Sequence, residues 1–91
     1  TSNLDVHVRG GILFECSYYG FRSIDISDPE APSVLYEDDS CPCRHMMAGP
    51  RYLYLVEGDG GACPYRYEVL DALDPAAPTT TWTIWTSFTA G

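Results

Sequence analysis

An internal repeat constrains the fold of this chain more than any other feature of its sequence. Residues 21–32 read FRSIDISDPEAP, and residues 67–78 read YEVLDALDPAAP. The two segments align at a constant offset of 46 positions, and the identical pairs include Asp28 with Asp74. A repeat of this period indicates a supersecondary unit stacked on a second copy of itself, because one unit cannot bury its own apolar face.

Each copy of the unit reads as four short strands separated by turn residues. We predict strands at residues 4–9, 12–18, 21–26 and 33–36 in the first copy, and at 44–48, 52–57, 66–70 and 80–88 in the second. Glycine or Asp-Pro separates the strands, and no segment combines a 3.6-residue period with helix caps. The predicted fold is all-β, with two four-stranded antiparallel blades at residues 1–40 and 41–91 in one structural domain.

The Asp-Pro segment of the repeat resembles a known family of blades. Residues 23–32, SIDISDPEAP, are similar to LVIVD-type β-propeller repeats, in which an aliphatic-Asp-x-Ser-Asp-Pro-x-x-Pro run follows a glycine turn and an aromatic-aliphatic strand. The second copy departs from this pattern at Leu73, where the family has serine. The resemblance implies four-stranded propeller-type blades, normally about six to eight in a ring and often extracellular. It implies no single activity.

Six residues of the repeated segment are interpreted as turn formers. An Asp side chain accepts a hydrogen bond from the backbone two residues on, while proline presets φ or keeps the turn out of the next ladder. A structural role, and not a binding role, is expected for all six. They are Asp28, Pro29, Pro32, Asp74, Pro75 and Pro78.

The charge of the chain argues against two classes of partner. Thirteen acidic residues stand against five arginines, without any lysine, which gives a net charge of −8 over 91 residues. Such a surface repels phosphate backbones and anionic membranes, so we expect no nucleic-acid partner. No apolar run of the sequence is long enough to span a membrane.

Four cysteines in so short a chain indicate an oxidising compartment and two disulfides, so we expect a secreted protein. Cys41 and Cys43 are too close in sequence for an unstrained mutual bridge. In a propeller-type blade, the loop before an inner strand and the loop between the second and third strands emerge on the same side. The first of these loops carries Cys41 and Cys43, and the second carries Cys63, so one of the first two is expected to bridge Cys63, with Cys43 preferred. We therefore predict the pairs Cys43–Cys63 and Cys16–Cys41.

The same region carries the constellation that most favours an enzyme. Cys41, Cys43, His45 and Met47 offer the thiolate, imidazole and thioether groups that Cu(I) prefers. Propellers of the selenium-binding type, which resemble this family, are described as copper-dependent thiol oxidases. A copper-dependent oxidase fragment is therefore an alternative, although oxidised cysteines lose their capacity to bind metal.

The sequence also leaves open two other kinds of bound or attached group, calcium ions and glycans. The acidic loops at residues 38–39 and 57–61 offer oxygen ligands for calcium, although their spacing fits no defined calcium-binding loop. Thr79, Thr80 and Thr81 are candidate acceptors of O-linked glycans. A propeller that binds glycans or small ligands is the third hypothesis.

Our main hypothesis follows from the number of blades. A blade buries its faces only against neighbouring blades, so two blades leave one apolar face at each end. We expect a non-catalytic, extracellular structural or interaction module that needs no cofactor and associates with other copies of itself. The exposed ends belong to different blades, so the expected contact runs head to tail and forms a ring or a filament.

Overall fold

A computed structural model describes residues 4–85 as two antiparallel β-sheets. The first sheet contains β1 (Leu4–Arg9), β2 (Ile12–Ser17), β3 (Gly20–Asp25) and β4 (Ser33–Asp38). The second sheet contains β5 (Cys43–Ala48), β6 (Tyr52–Glu57), β7 (Arg66–Asp71) and β8 (Thr79–Trp85). Strands that are neighbours in a sheet are consecutive in the chain. The predicted pair of four-stranded antiparallel sheets is confirmed. Of the last predicted strand, residues 86–88 lie outside the described residues.

The two sheets share details that follow the sequence repeat. A bulge interrupts the pairing of β3 with β4 between Ser23 and Ile24, and a second one interrupts the pairing of β7 with β8 at Val69 and Leu70, 46 positions later. The β3–β4 turn and the β7–β8 turn also match. In each, the aspartate of the Asp-Pro pair accepts a 3.0 Å hydrogen bond from the backbone N–H two residues on. The two sheets are therefore copies of one unit in structure as well as in sequence.

The cross-strand register decides which face of its sheet a side chain occupies. Residues directly opposite each other in antiparallel strands point to the same face. Phe14 lies opposite Ser23 in the first sheet, and Leu55 lies opposite Met46 in the second. These two faces pack on each other through contacts of β1 and β2 with β5. The buried core between them consists of Phe14, Cys16, Phe21, Cys43, Leu53, Leu55, Leu70 and Ala72.

Arg9, the last residue of β1, joins the two sheets by hydrogen bonds. Its Nη1 donates to the carbonyls of Gly49 (3.0 Å) and Pro50 (2.8 Å), and its Nη2 donates to the carbonyl of Ala72 (2.8 Å). The guanidinium carbon also lies 4.9 Å from the centroid of the Phe14 ring. A planar fork of donors suits this arrangement, because one side chain satisfies carbonyls from two separate turns of the second sheet.

Two shorter polar contacts also connect the sheets. The Ser23 hydroxyl donates to the carbonyl of Pro75 at 2.6 Å, and the Met46 N–H donates to Asp5 Oδ2 at 3.0 Å. The second contact satisfies a backbone donor of β5, the edge strand of the second sheet. Such pairing keeps buried polar groups of the interface from losing hydrogen bonds on folding.

All four cysteines are oxidised, but the predicted pairing is wrong. The disulfides join Cys16 to Cys43 and Cys41 to Cys63. Cys43 is the first residue of β5, and its buried side chain points towards β2, where it meets Cys16. Cys41 stays in the loop before β5, beside the β6–β7 loop that carries Cys63. The prediction failed because it placed Cys43 in that loop and not in the strand.

Candidate functional site

The outward face of the first sheet is an aliphatic surface. Leu13 lies opposite Val8 on one side and Ile24 on the other, so their side chains share this face. Its charged residues include Glu15 and Arg22, which form an ion pair of 2.6 Å between Oε1 and Nε. We call this surface the aliphatic face. Its apolar members are Leu4, Val6, Val8, Leu13, Ile24 and Val34.

The outward face of the second sheet is mainly aromatic. Tyr54 lies opposite Met47 and Val69, and Val69 lies opposite Trp82. The side chains of Met47 and Trp82 are 73% and 64% exposed, which is unusual for large apolar residues on a sheet. A groove of about 580 Å³ lies on this surface, and the residues that line it include Met47, Tyr54, Val56, Tyr67 and Val69. We call this surface, with Trp82 and Ile84, the aromatic face.

The repeat relates each outward face to an inward one. Strands β2 and β6 match position by position, so Phe14 corresponds to Tyr54, and Cys16 corresponds to Val56. Phe14 points towards the second sheet, whereas Tyr54 points away from the first. The sheets therefore stack front to back, as successive repeats do. The aromatic face is the counterpart of the inward face of the first sheet, and the aliphatic face is the counterpart of the inward face of the second.

The four candidate copper ligands do not form a site. Cys41 and Cys43 belong to different disulfides, so neither provides a thiolate. His45 lies opposite Val56, and Met47 lies opposite Tyr54, which places both on the aromatic face, whereas Cys43 points into the core.

The acidic loops are occupied by contacts within their own turns. Asp59 Oδ1 accepts hydrogen bonds from the N–H groups of Gly61 (2.8 Å) and Cys63 (3.2 Å), and these bonds lower the pKa of Asp59. Asp38 Oδ1 accepts bonds from the N–H and the hydroxyl of Ser40. Within residues 4–85, no group of three or more His, Cys, Asp or Glu side chains is placed to hold a metal ion.

The candidate glycan acceptors begin β8 at an exposed edge of the second sheet. The Thr80 hydroxyl donates to a carboxylate oxygen of Glu68, and the Thr81 hydroxyl donates to the carbonyl of Val69 at 3.1 Å. Thr79 lies opposite Asp71 at the start of the strand. Glycosylation of these residues stays a prediction.

A buried carboxyl group at the sheet interface was missed by sequence reasoning. Glu57, which the sequence places both at the end of a predicted strand and at the start of an acidic loop, is the last residue of β6 and is only 3% exposed. Its Oε1 lies 3.3 Å from Arg66 Nη2, an ion-pair distance, but has no hydrogen bond within the described part of the chain. The alternation Leu53, Leu55, Glu57 was the signal, because side chains two apart share a face.

Burial is the main reason why Glu57 has an unusual pKa. Loss of hydration, followed by a hydrogen bond with the Glu68 carboxyl group and by its negative charge, raises the pKa of Glu57 to about 8, and Arg66 opposes the shift. Tyr36 and Asp38 of β4 are close enough to interact with this carboxyl pair, and burial also raises the pKa of Tyr36. The pair thus lies where the two sheets meet.

Comparison of the chain with protein-family models, curated proteins and solved structures finds no match. A function for this chain is therefore inferred from the geometry of residues 4–85 alone. None of these residues belongs to a helix long and apolar enough to cross a membrane.

Proposed function

We propose that this protein is a non-catalytic, extracellular structural module that associates with other copies of itself through its two outward sheet faces, forming a ring or a filament. The observation that carries the proposal is that both ends of the two-sheet stack expose apolar surface. Soluble monomers rarely expose large contiguous apolar patches, and such patches usually mark contacts.

A second copy of the chain is the partner that these faces fit. The aromatic face is the repeat counterpart of a surface that already packs against a sheet, and the aliphatic face is the counterpart of the surface that covers it. One copy therefore presents both halves of an interface that the chain already builds once, between its own two sheets. A contact between unlike faces leaves a free face at each end, so it continues until it closes as a ring or grows as a filament.

The distribution of charge is compatible with this contact despite the net charge of −8. Asp28 and Asp74 lie in turns, and Asp59 lies in a loop. On the outward faces, Glu15 is paired with Arg22, and Asp71 with Arg51 at 2.8 Å. The aliphatic face also carries Glu37, opposite Arg22, so these three residues leave one excess negative charge on it. Salt screens the repulsion that remains between copies.

The chemistry of the cysteines supports an extracellular role without catalysis. Both disulfides link segments that are more than 20 residues apart in sequence, which is the usual way in which small extracellular domains reinforce a limited core. The same bonds consume the thiols on which the copper oxidase alternative depends.

Single aspartates on either face are expected to weaken association. Val6→Asp on the aliphatic face and Trp82→Asp on the aromatic face should each raise the dissociation constant at least about tenfold, because a contact would bury an unpaired carboxylate. Both residues are more than half exposed, so the fold of the single chain should tolerate the changes. Sedimentation velocity over a range of concentrations measures the effect.

Matched controls are available in two turns. Leu73→Asp and Tyr19→Asp add the same charge at apolar residues that are 68% and 82% exposed but lie on neither face. They should leave the dissociation constant within about a factor of two of the wild-type value, since exposed substitutions of this kind change energies by only a few tenths of a kcal/mol. Equal weakening by controls and face variants would contradict the proposal.

A further inference from the structure

The interface inside the chain specifies a register for the contact between copies. Cys16 of β2 and Cys43 of β5 face each other across the two sheets, with their Cα atoms 5.1 Å apart. The repeat counterpart of Cys16 is Val56. Ser17 and Glu57 are counterparts, because they end the matching strands β2 and β6. Leu4 lies opposite Ser17, and Cys43 lies opposite Glu57, so Leu4 is the counterpart of Cys43.

We infer that copies join head to tail in the register that the two sheets use within the chain, so that Val56 of one copy lies against Leu4 of the next. This inference rests on the proposed function. Beyond self-association itself, it specifies which strands of the two copies meet and which side chains lie opposite each other. Both side chains are apolar and lie on outward faces, so the position that holds a disulfide inside the chain holds an aliphatic contact between copies.

A second pair of counterparts is also chemically matched in this register. Inside the chain, Tyr36 is near enough to Glu68 for the carboxylate to affect the tyrosine hydroxyl. The counterpart of Tyr36 is Trp82, and the counterpart of Glu68 is Arg22. A guanidinium group beside an indole ring is a favourable cation–π pair. The exchange of both residues at once therefore places a cation beside an aromatic ring at this position.

The side-chain donors of the internal interface have no counterparts between copies. Arg9 corresponds to Gly49, and Ser23 corresponds to Val69, so the donors that reach across the sheets are missing from the aromatic face. The contact between copies therefore consists mainly of apolar packing. It should be reversible and weaker than the contact inside the chain, in which a disulfide and several hydrogen bonds take part.

Cysteine cross-linking tests this register. A Leu4→Cys copy is mixed with a Val56→Cys copy under mild oxidation, and the disulfide-linked dimers are identified by mass spectrometry after non-reducing electrophoresis. The Leu4–Val56 heterodimer should be the main product and exceed either homodimer by about tenfold, because docking gives the two thiols a high effective concentration. Mixing Leu4→Cys with Tyr52→Cys provides the control. Tyr52 lies on the same face of β6, four residues or about 13 Å from Val56.

The possible results separate the register from the proposed function. Equal yields with Val56→Cys and Tyr52→Cys, in a chain that associates in sedimentation, would overturn the register and leave self-association in place. A wild-type chain that does not associate would overturn both. Peptide mapping of the native Cys16–Cys43 and Cys41–Cys63 bonds verifies that each variant has folded before it is mixed. Each copy carries one substitution at an outward position, so the fold is affected little.

Discussion

Replacing Cys16 and Cys43 with alanine is expected to lower the free energy of unfolding by about 3–5 kcal/mol. The bond closes a loop between residues 27 apart and lies in the core between the sheets, where both sulfurs are buried. Loss of the bond increases the conformational entropy of the unfolded chain. It also removes two sulfur atoms that pack in the interface between the sheets. Urea unfolding of the double variant and of the wild type, at one protein concentration, measures the difference.

The second disulfide provides a matched comparison. Cys41–Cys63 closes a loop between residues 22 apart, which has nearly the same chain entropy, but it joins two surface loops outside the core. Cys41→Ala with Cys63→Ala should therefore cost less, about 2–3 kcal/mol. A larger cost for the surface pair than for the core pair would contradict the placement of Cys43 against β2.

Stability is expected to fall as pH rises from about 4.5 to about 8, because the folded state keeps a proton on Glu57 that the unfolded chain releases. Burial raises the pKa of Glu57 to about 8, whereas its ordinary value is 4.5. Below pH 4.5 both states hold the proton, and above pH 8 neither does, so Glu57 contributes no slope to the stability curve outside this window. Within the window the slope is at most about 1.4 kcal/mol per pH unit.

Glu57→Gln isolates this effect. The amide keeps the shape of the side chain and cannot ionise, so the difference in unfolding free energy between pH 5 and pH 8 should shrink. Glu30→Gln, in an exposed turn, is the control and should leave the difference unchanged. Denaturant unfolding at several pH values gives the curves. A Glu57→Gln curve that parallels that of the wild type would show that the buried carboxyl group is not the source of the slope.

The architecture could be predicted from the sequence because its signals are local. The matched Asp-Pro segments at residues 21–32 and 67–78 fix two units, and glycine or Asp-Pro separates the strands within each. Alternation of side chains between faces makes strand positions readable wherever one face is buried. The strand that begins at Cys43 was predicted one residue late, and that single residue changed the disulfide pairing.

Contacts between the sheets could not be predicted in the same way. The three hydrogen bonds of Arg9 go to residues that lie 40 to 63 positions away in sequence. Glu57 is only 3% exposed and lies close enough to Asp38 of the first sheet for the two carboxyl groups to interact. Such features depend on how two finished sheets stack, which no short segment specifies.

The native mass of the 91-residue chain in solution tests the central claim most directly. Sedimentation velocity from about 1 to 100 μM should show species heavier than 10.1 kDa whose fraction rises with concentration. Added salt should increase this fraction, since it screens the repulsion between copies of net charge −8. A folded species of 10.1 kDa that persists unchanged across this range, at low and at high salt, would contradict self-association.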